Sequence, residues 1–224
     1  MKTQKMVELS FSSNLKQYKM SDNTDTIFII DDDLSVRRSL TLFLKSSGYN
    51  VESFSSSENY LERERYEGAG CLILDVNLEG KTGLELQDEL KVNDSHLPII
   101  FITGRGNIQM SVSTLKKGAV NFLEKPFKDE DLLQSVTEAL TISRKLKSDK
   151  ETSKTAHSLI NKLTTRENEI FINLLTGMLN KQIASKLNIA EQTVKLHRLK
   201  IYEKLGVKSV AEMIRIAEQA GIKF

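Results

Sequence analysis

The 224-residue sequence has a single cysteine, Cys71, so neither an intrachain disulfide nor a cysteine-cluster zinc site can be built from it. Its three histidines, His96, His157 and His197, are too scattered to suggest a metal site. No apolar run approaches the roughly 20 residues that span a bilayer. The opening MKTQKMVELSFSSNLKQYKMSDNTD lacks the continuous apolar stretch of a secretory signal. It reads as a polar tail over residues 1–25, and the chain as cytoplasmic. Repeats and low-complexity tracts are also missing. Cys71 itself lies in the apolar run CLIL and is expected to be a small buried hydrophobe.

What is present is an ordinary globular composition, 39% hydrophobic and 28% charged, in a chain long enough for two domains. The net charge of +2 conceals an asymmetry. Asp25 to Leu140 carries 12 Lys+Arg against 20 Asp+Glu, whereas Thr141 to Phe224 carries 16 against 8. An acidic half joined to a basic half suggests that only the second meets nucleic acid, where phosphate neutralisation supplies much of the affinity.

The first half alternates short apolar runs (TIFII, NVESF, CLILD, PIIFIT, AVNFL) with amphipathic stretches such as LSVRRSLTLFLKSSG, TGLELQDELK and NIQMSVSTLKKG. This pattern predicts an α/β fold, a doubly wound five-stranded parallel sheet covered by helices on both faces, with strands buried on both sides. Gly48 and Gly118 fall where helices should end. A last helix should begin near Asp129. Its apolar spacing fades after Ile142, and KSDKETSKTAHS reads as an interdomain linker over residues 143–160. From Leu163 onward the pattern is helical, in units broken at Gly177, Asn188 and Gly206. An all-α helix-turn-helix domain over 161–224 is expected.

Chemistry in a parallel sheet gathers at the carboxyl ends of its strands. Asp31 and Asp32 follow the first predicted strand, Asp75 ends the third, Thr103 ends the fourth and Lys125 follows the fifth. Three carboxylates in one pocket repel one another unless a cation stabilises them. Mg²⁺ suits such a set, since it takes oxygen ligands and keeps water and phosphate in its shell. The lysine and the threonine hydroxyl could then hold phosphoryl oxygens.

IIDDD, LILDVNL, FITGR and FLEKPF, in that order and spacing, resemble the signature of response-regulator receivers, over about Thr26 to Ile142. The resemblance implies that Asp75 is the phosphoacceptor, that Asp31 and Asp32 are metal carboxylates, and that Asn77 is a metal ligand through its carbonyl. Thr103 would be the switch hydroxyl, Phe122 the switch aromatic and Lys125 the phosphate-binding lysine, with a cis bond between Lys125 and Pro126. Asp33 reads as a loop residue or helix cap. Glu79 stands where many receivers have proline, and Arg105 lies near the expected path of an attacking water.

In the second half, LTTRENEIFINLLTG opens with a capping box, Thr164 with Glu167, and carries Ile170, Leu174 and Leu175 on one stripe. NKQIASKLNIAEQTVKLHRLKIYEKLG then reads as a short helix, a turn and a longer helix anchored by Val194, Ile201 and Leu205. LTTRE, NKQIASKL, TVKLH and YEKLGV resemble the LuxR-type module of the NarL/FixJ family, from Leu163 to about Ala220. That resemblance implies base-edge contacts by Lys195 and Leu196 and backbone contacts by Thr193 and His197, with Arg198 and Lys200 as further phosphate contacts. Leu199 replaces a residue that is often polar, Ala190 replaces the usual serine cap, and VAEMIRIAEQA would supply a dimer contact.

Together these resemblances imply a two-component response regulator rather than an enzyme. A cognate histidine kinase would phosphorylate Asp75, and the change at the receiver's fourth-helix and fifth-strand surface would favour a homodimer on double-stranded DNA. A receiver serving only as a dimerisation platform, and a small metal-dependent phosphatase, are the rival readings.

Overall fold

A computed structural model of the chain describes residues 25–92, 97–104 and 115–224. The polar tail to residue 24, His96, Arg105 and positions 107–114 of the predicted NIQMSVSTLKKG helix lie outside the described residues. The chain divides into two compact units, Met1–Lys147 and Ser148–Phe224.

In the first unit five strands, β1 (Thr26–Ile30), β2 (Asn50–Phe54), β3 (Gly70–Asp75), β4 (Ile99–Thr103) and β5 (Asn121–Glu124), form one parallel sheet in the order β2-β1-β3-β4-β5. That is the doubly wound, flavodoxin-like order. Alternate residues of the central strands face opposite ways, as strand geometry requires. Ile27, Ile29, Cys71, Ile73, Ile100 and Ile102 pack with α1 (Leu34–Ser46) and with Leu132 and Val136 of α4 (Asp129–Ile160). Phe28, Ile30, Leu72, Leu74 and Phe101 pack on the other face, with Tyr60 of α2 (Ser57–Leu61) and Leu86 and Leu90 of α3 (Gly83–Val92). The continuous apolar runs are therefore those of strands covered on both faces. Cys71 is fully buried, and burial pushes its thiol up to about 12, as befits an inert core side chain.

β2 departs from the expectation of two-sided burial: Asn50, Glu52 and Ser53 are exposed. Its place at the sheet edge explains this, since the outermost strand has a neighbour on one side only. Gly48 and Gly118 take φ of +90° and +92°, the left-handed conformation needed where the chain leaves a helix.

The predicted linker is helical. α4 runs unbroken from Asp129 to Ile160, because residues 143–160 hold neither glycine nor proline and their Lys, Glu, Leu and Ala favour helix. Loss of an apolar stripe marks the end of packing on the sheet, not the end of the helix.

The second unit adds α5 (Thr165–Leu175), α6 (Asn180–Lys186), α7 (Glu191–Leu205) and α8 (Val210–Gln219) around Ile170, Phe171, Ile183, Val194, Ile201 and Met213. Its first helix is capped as the sequence predicts: Thr164 N donates to Glu167 Oε2 at 2.8 Å, and Glu167 N donates to Thr164 Oγ1 at 3.3 Å. Lys204 of α7 donates to the same carboxylate at 2.6 Å. This hydrogen bond from Lys204, with those from Thr164, holds the Glu167 carboxyl down to about 2. The α6–α7 turn is closed by Asn188, which takes φ of +52°.

Candidate phosphoryl-transfer site and nucleic-acid interface

Asp31, Asp75 and Lys125 are separated by 44 and 50 positions in sequence and meet at the carboxyl edge of the sheet. Lys125 Nζ donates to Asp31 Oδ2 and to Asp75 Oδ2, each at 2.6 Å. The other oxygen of each carboxylate is held by backbone: Asp33 N donates to Asp31 Oδ1 and Asn77 N to Asp75 Oδ1, both at 2.9 Å. Asp32 completes a cluster in which one oxygen from each of the three carboxylates lies within 4.8 Å of the others. Asp31 is fully buried, Asp75 nearly so and Asp32 exposed.

Electrostatics follow from this geometry. Burial raises the Asp31 carboxyl above the ordinary carboxylate range, against the pull of Lys125. For Lys125 burial works to lower the ammonium, but hydrogen bonds to both carboxylates outweigh it and hold the group above its usual value. The donor set is all oxygen, it carries three negative charges, and one member pays a desolvation cost that a cation relieves. It fits a hard divalent ion.

Thr103 is fully buried at the end of β4, and Asn77 Nδ2 donates to its hydroxyl at 3.0 Å. Lys125 N donates to Thr103 O at 2.8 Å, which ties the lysine to the same strand end. The Lys125–Pro126 bond is cis. Phe122 is half-buried on β5 and packs with the cluster that contains Phe101. Asp33 caps α1, accepting from Ser35 N at 2.7 Å and Val36 N at 3.2 Å, in line with its reading as a cap. Glu79 is exposed.

Two contributors are not legible as site residues from sequence pattern. Arg37 donates to the carbonyls of Asp31 at 2.6 Å and Asp32 at 2.9 Å, so it clamps the acidic loop from one turn along α1. Gly83 opens α3 directly against Asp75: a Cβ there would lie 2.2 Å from the Asp75 carbonyl oxygen. An Arg in a helix and a Gly before one are both common, so only the distance identifies them.

On α7, Val194, Ile201 and Leu205 are buried as expected. Lys195, Leu196, Leu199 and Lys200 are exposed, and Thr193, His197 and Arg198 are half-buried. Ala190 provides no side-chain cap. Lys195 reaches back to Glu191 at 3.1 Å. The Arg198 guanidinium is engaged inside the module, donating to Tyr202 Oη at 2.8 and 3.0 Å and to Asn180 Oδ1 at 3.2 Å. It ties α7 to α6. His197 Nδ1 is buried and has no hydrogen-bond partner among the described residues.

A flavodoxin-like sheet with an acidic cluster and lysine at its carboxyl edge, followed by a helix-turn-helix, defines a two-component response regulator. Comparison with known proteins gives the same answer. Residues 27–137 match the response regulator receiver domain and residues 161–217 match the luxR family of bacterial regulatory proteins. Nodulation protein W of Bradyrhizobium diazoefficiens is 42% identical over 196 residues, covering 88% of this chain and 86% of that protein. The structure of the response regulator StyR matches with a TM-score of 0.78 at 40% identity, covering 87% of this chain and 98% of that one. Full-length FixJ from B. japonicum matches with a TM-score of 0.54 at 31% identity, covering 89% and 98%. The chain belongs to the NarL/FixJ family of response regulators, with a receiver and a LuxR-type DNA-binding domain.

Proposed function

We propose that a cognate histidine kinase transfers a phosphoryl group to Asp75 and that this controls dimerisation and sequence-specific DNA binding. The observation that carries the reading is the pairing of Lys125 with both Asp31 and Asp75 beside the buried Thr103 hydroxyl. In the transfer, the P–N bond of a kinase phosphohistidine breaks as an Asp75 carboxylate oxygen forms the new P–O bond. The P–N bond pair returns to the histidine nitrogen, and the ring, protonated on its other nitrogen before transfer, leaves as neutral imidazole. Lys125 then holds one phosphoryl oxygen as it now holds the carboxylate. Thr103 exchanges its contact with Asn77 for another phosphoryl oxygen, and Phe122 turns into the space so released.

Asp31, Asp32, Asp75 and the carbonyl of Asn77 would hold Mg²⁺, which supplies charge neutralisation at the transferring group. Asp31 and Asp32 orient that side of the pocket, and Asn77 N fixes one Asp75 oxygen so that the other meets the donor. Receiver, linker and DNA-binding domain are assigned to 26–142, 143–160 and 161–224. In the last, Lys195 and Leu196 approach base edges, while Thr193, His197 and Lys200 face phosphate. Arg198 keeps two N–H groups beyond its bonds to Tyr202 and Asn180, enough for a phosphate contact while it positions α7. The protein works as a cytoplasmic transcriptional switch and turns over no substrate of its own.

Asp75→Asn tests this directly. Acyl-phosphate labelling should vanish, and the gain in DNA affinity on adding phosphodonor should vanish with it. Labelling equal to wild type would remove the assignment.

A further inference from the structure

At the opposite end of the sheet from Asp75, the first unit contains a cavity of about 450 Å³. It lies between α3, the chain entering β4, the chain entering β5, and the outer side of α4. Gln87, Leu90, Leu97, Val120, Ile142 and Leu146 are among its lining residues. Its volume is within the roughly 300–1,000 Å³ of small-molecule sites. Ile99, at the cavity, lies four residue steps before Thr103, about 13 Å by strand rise, so this is not an extension of the acidic pocket.

Gln87 makes the cavity more than a gap in packing. It is only 1% exposed, yet its Oε1 has no hydrogen-bond partner among the described residues. Among the described residues of the same unit only one other buried side-chain atom, Thr41 Oγ1 on α1, shares this condition. Ser143 Oγ accepts from Gly70 N at 3.0 Å, and Ser135 both accepts from Asn121 and donates to the Asp131 carbonyl, each at 2.8 Å. An acceptor removed from water and left unpaired is costly, and a ligand that brings a donor to it recovers that cost. At the mouth, Ile142 and Leu146 are 37% and 41% exposed, apolar surface on an otherwise polar stretch of helix. Lys91 and Glu138 also line the cavity and offset each other's charge, which favours a neutral ligand over an ion.

We infer that this cavity binds a small neutral molecule with an apolar body and one N–H or O–H donor, the donor directed at Gln87. The receiver then has a ligand site separate from the phosphorylated aspartate.

Indole and 1-methylindole, which differ in the donor, are the probes. Titrated into the full-length protein with methyl resonances of Leu90, Val120 and Ile142 observed by NMR, indole should give saturable shifts. It should bind about fivefold more tightly than 1-methylindole, the factor expected of one net hydrogen bond. Gln87→Leu, which removes the unpaired acceptor without losing volume, should keep or raise the Tm and erase that preference. Ile142→Trp, on the exposed side of α4, should block both probes. Absence of saturable shifts overturns the inference, as does a preference that survives Gln87→Leu. So does an ordered water on Gln87 that indole fails to displace.

Discussion

Gly83→Ala is the most demanding test of the site, because it adds one carbon and touches no charged group. The new Cβ would lie 2.2 Å from the carbonyl oxygen of Asp75, and 3.1 Å from both the Asp75 carbonyl carbon and Leu74 Cγ. A tolerable C···O approach is about 3.3 Å, so the two backbones must separate by about 1 Å. Neither yields easily. Val76 N donates to Ile102 O and Gly83 N to Val76 O, each at 3.1 Å, which fastens this corner to β4. Alanine improves helix propensity by up to about 1 kcal/mol, and overpacking costs about 1–3 kcal/mol, so a net loss of about 1–2 kcal/mol is expected. The functional loss should be larger. The same backbone carries the Asp75 carboxylate, and an error of about 1 Å in a reacting group costs about 10²-fold in rate. Labelling by a small-molecule phosphodonor should slow by that order while the fold survives, read by initial rate beside thermal melting. Gly104→Ala is the control, since a Cβ there meets nothing within 4 Å among the described residues. Wild-type labelling by Gly83→Ala would refute the argument.

Other consequences are as specific. Lys125→Met leaves the buried Asp31 without its cation, which should cost about 3–5 kcal/mol in chelator and be largely restored by Mg²⁺, measured as Tm with and without the metal. Glu167 is depressed by Lys204 and Thr164 from 4.5 to about 2, so its stabilisation is complete above pH 4.5 and is lost as pH falls towards 2. Lys204→Met should flatten that acid limb, followed by helicity of the C-terminal unit. On α7, Lys200→Ala should weaken binding to all DNA sequences alike and reduce the salt slope by about 0.9, while Leu196→Ala should lower discrimination among sites and leave the slope unchanged. Equal slopes for wild type and Lys200→Ala would remove the phosphate contact.

The strands were legible because a central parallel strand must be apolar on both faces, so TIFII, CLILD and IIFIT announce themselves. NVESF was legible as a strand but not as an edge, since periodicity says nothing about which neighbour is absent. The acidic site was readable from carboxylates and a lysine spaced to strand ends, and the capping box from Thr164 and Glu167. Arg37 and Gly83 were not readable, because their roles exist only in a carbonyl clamp and a close approach across the fold. That the linker is helical was not legible for a physical reason: hydrophobic spacing reports what a helix packs against, whereas residues 143–160 remain helical through local propensity.

Charge bookkeeping at the acidic pocket explains why its parts differ so much in exposure. Asp31, Asp32 and Asp75 with Lys125 sum to −2, the charge that one divalent ion cancels. Asp31 is buried and paired, so it fixes the lysine; Asp32 is exposed, so it can meet an arriving hydrated cation with little rearrangement. On the function proposed above, phosphorylation would convert the single charge of Asp75 to about two at neutral pH and move it outward along the new P–O bond. Lys125 is the group able to follow, because its two present partners lie at the ends of different strands and it can keep Asp31 while releasing Asp75. The distance from Lys125 Nζ to Asp31 should be preserved between the unphosphorylated and phosphorylated proteins, and its distance to the Asp75 carboxylate should not. A phosphorylated structure in which Lys125 leaves Asp31 would show that the buried carboxylate, rather than the acceptor, is the one exchanged.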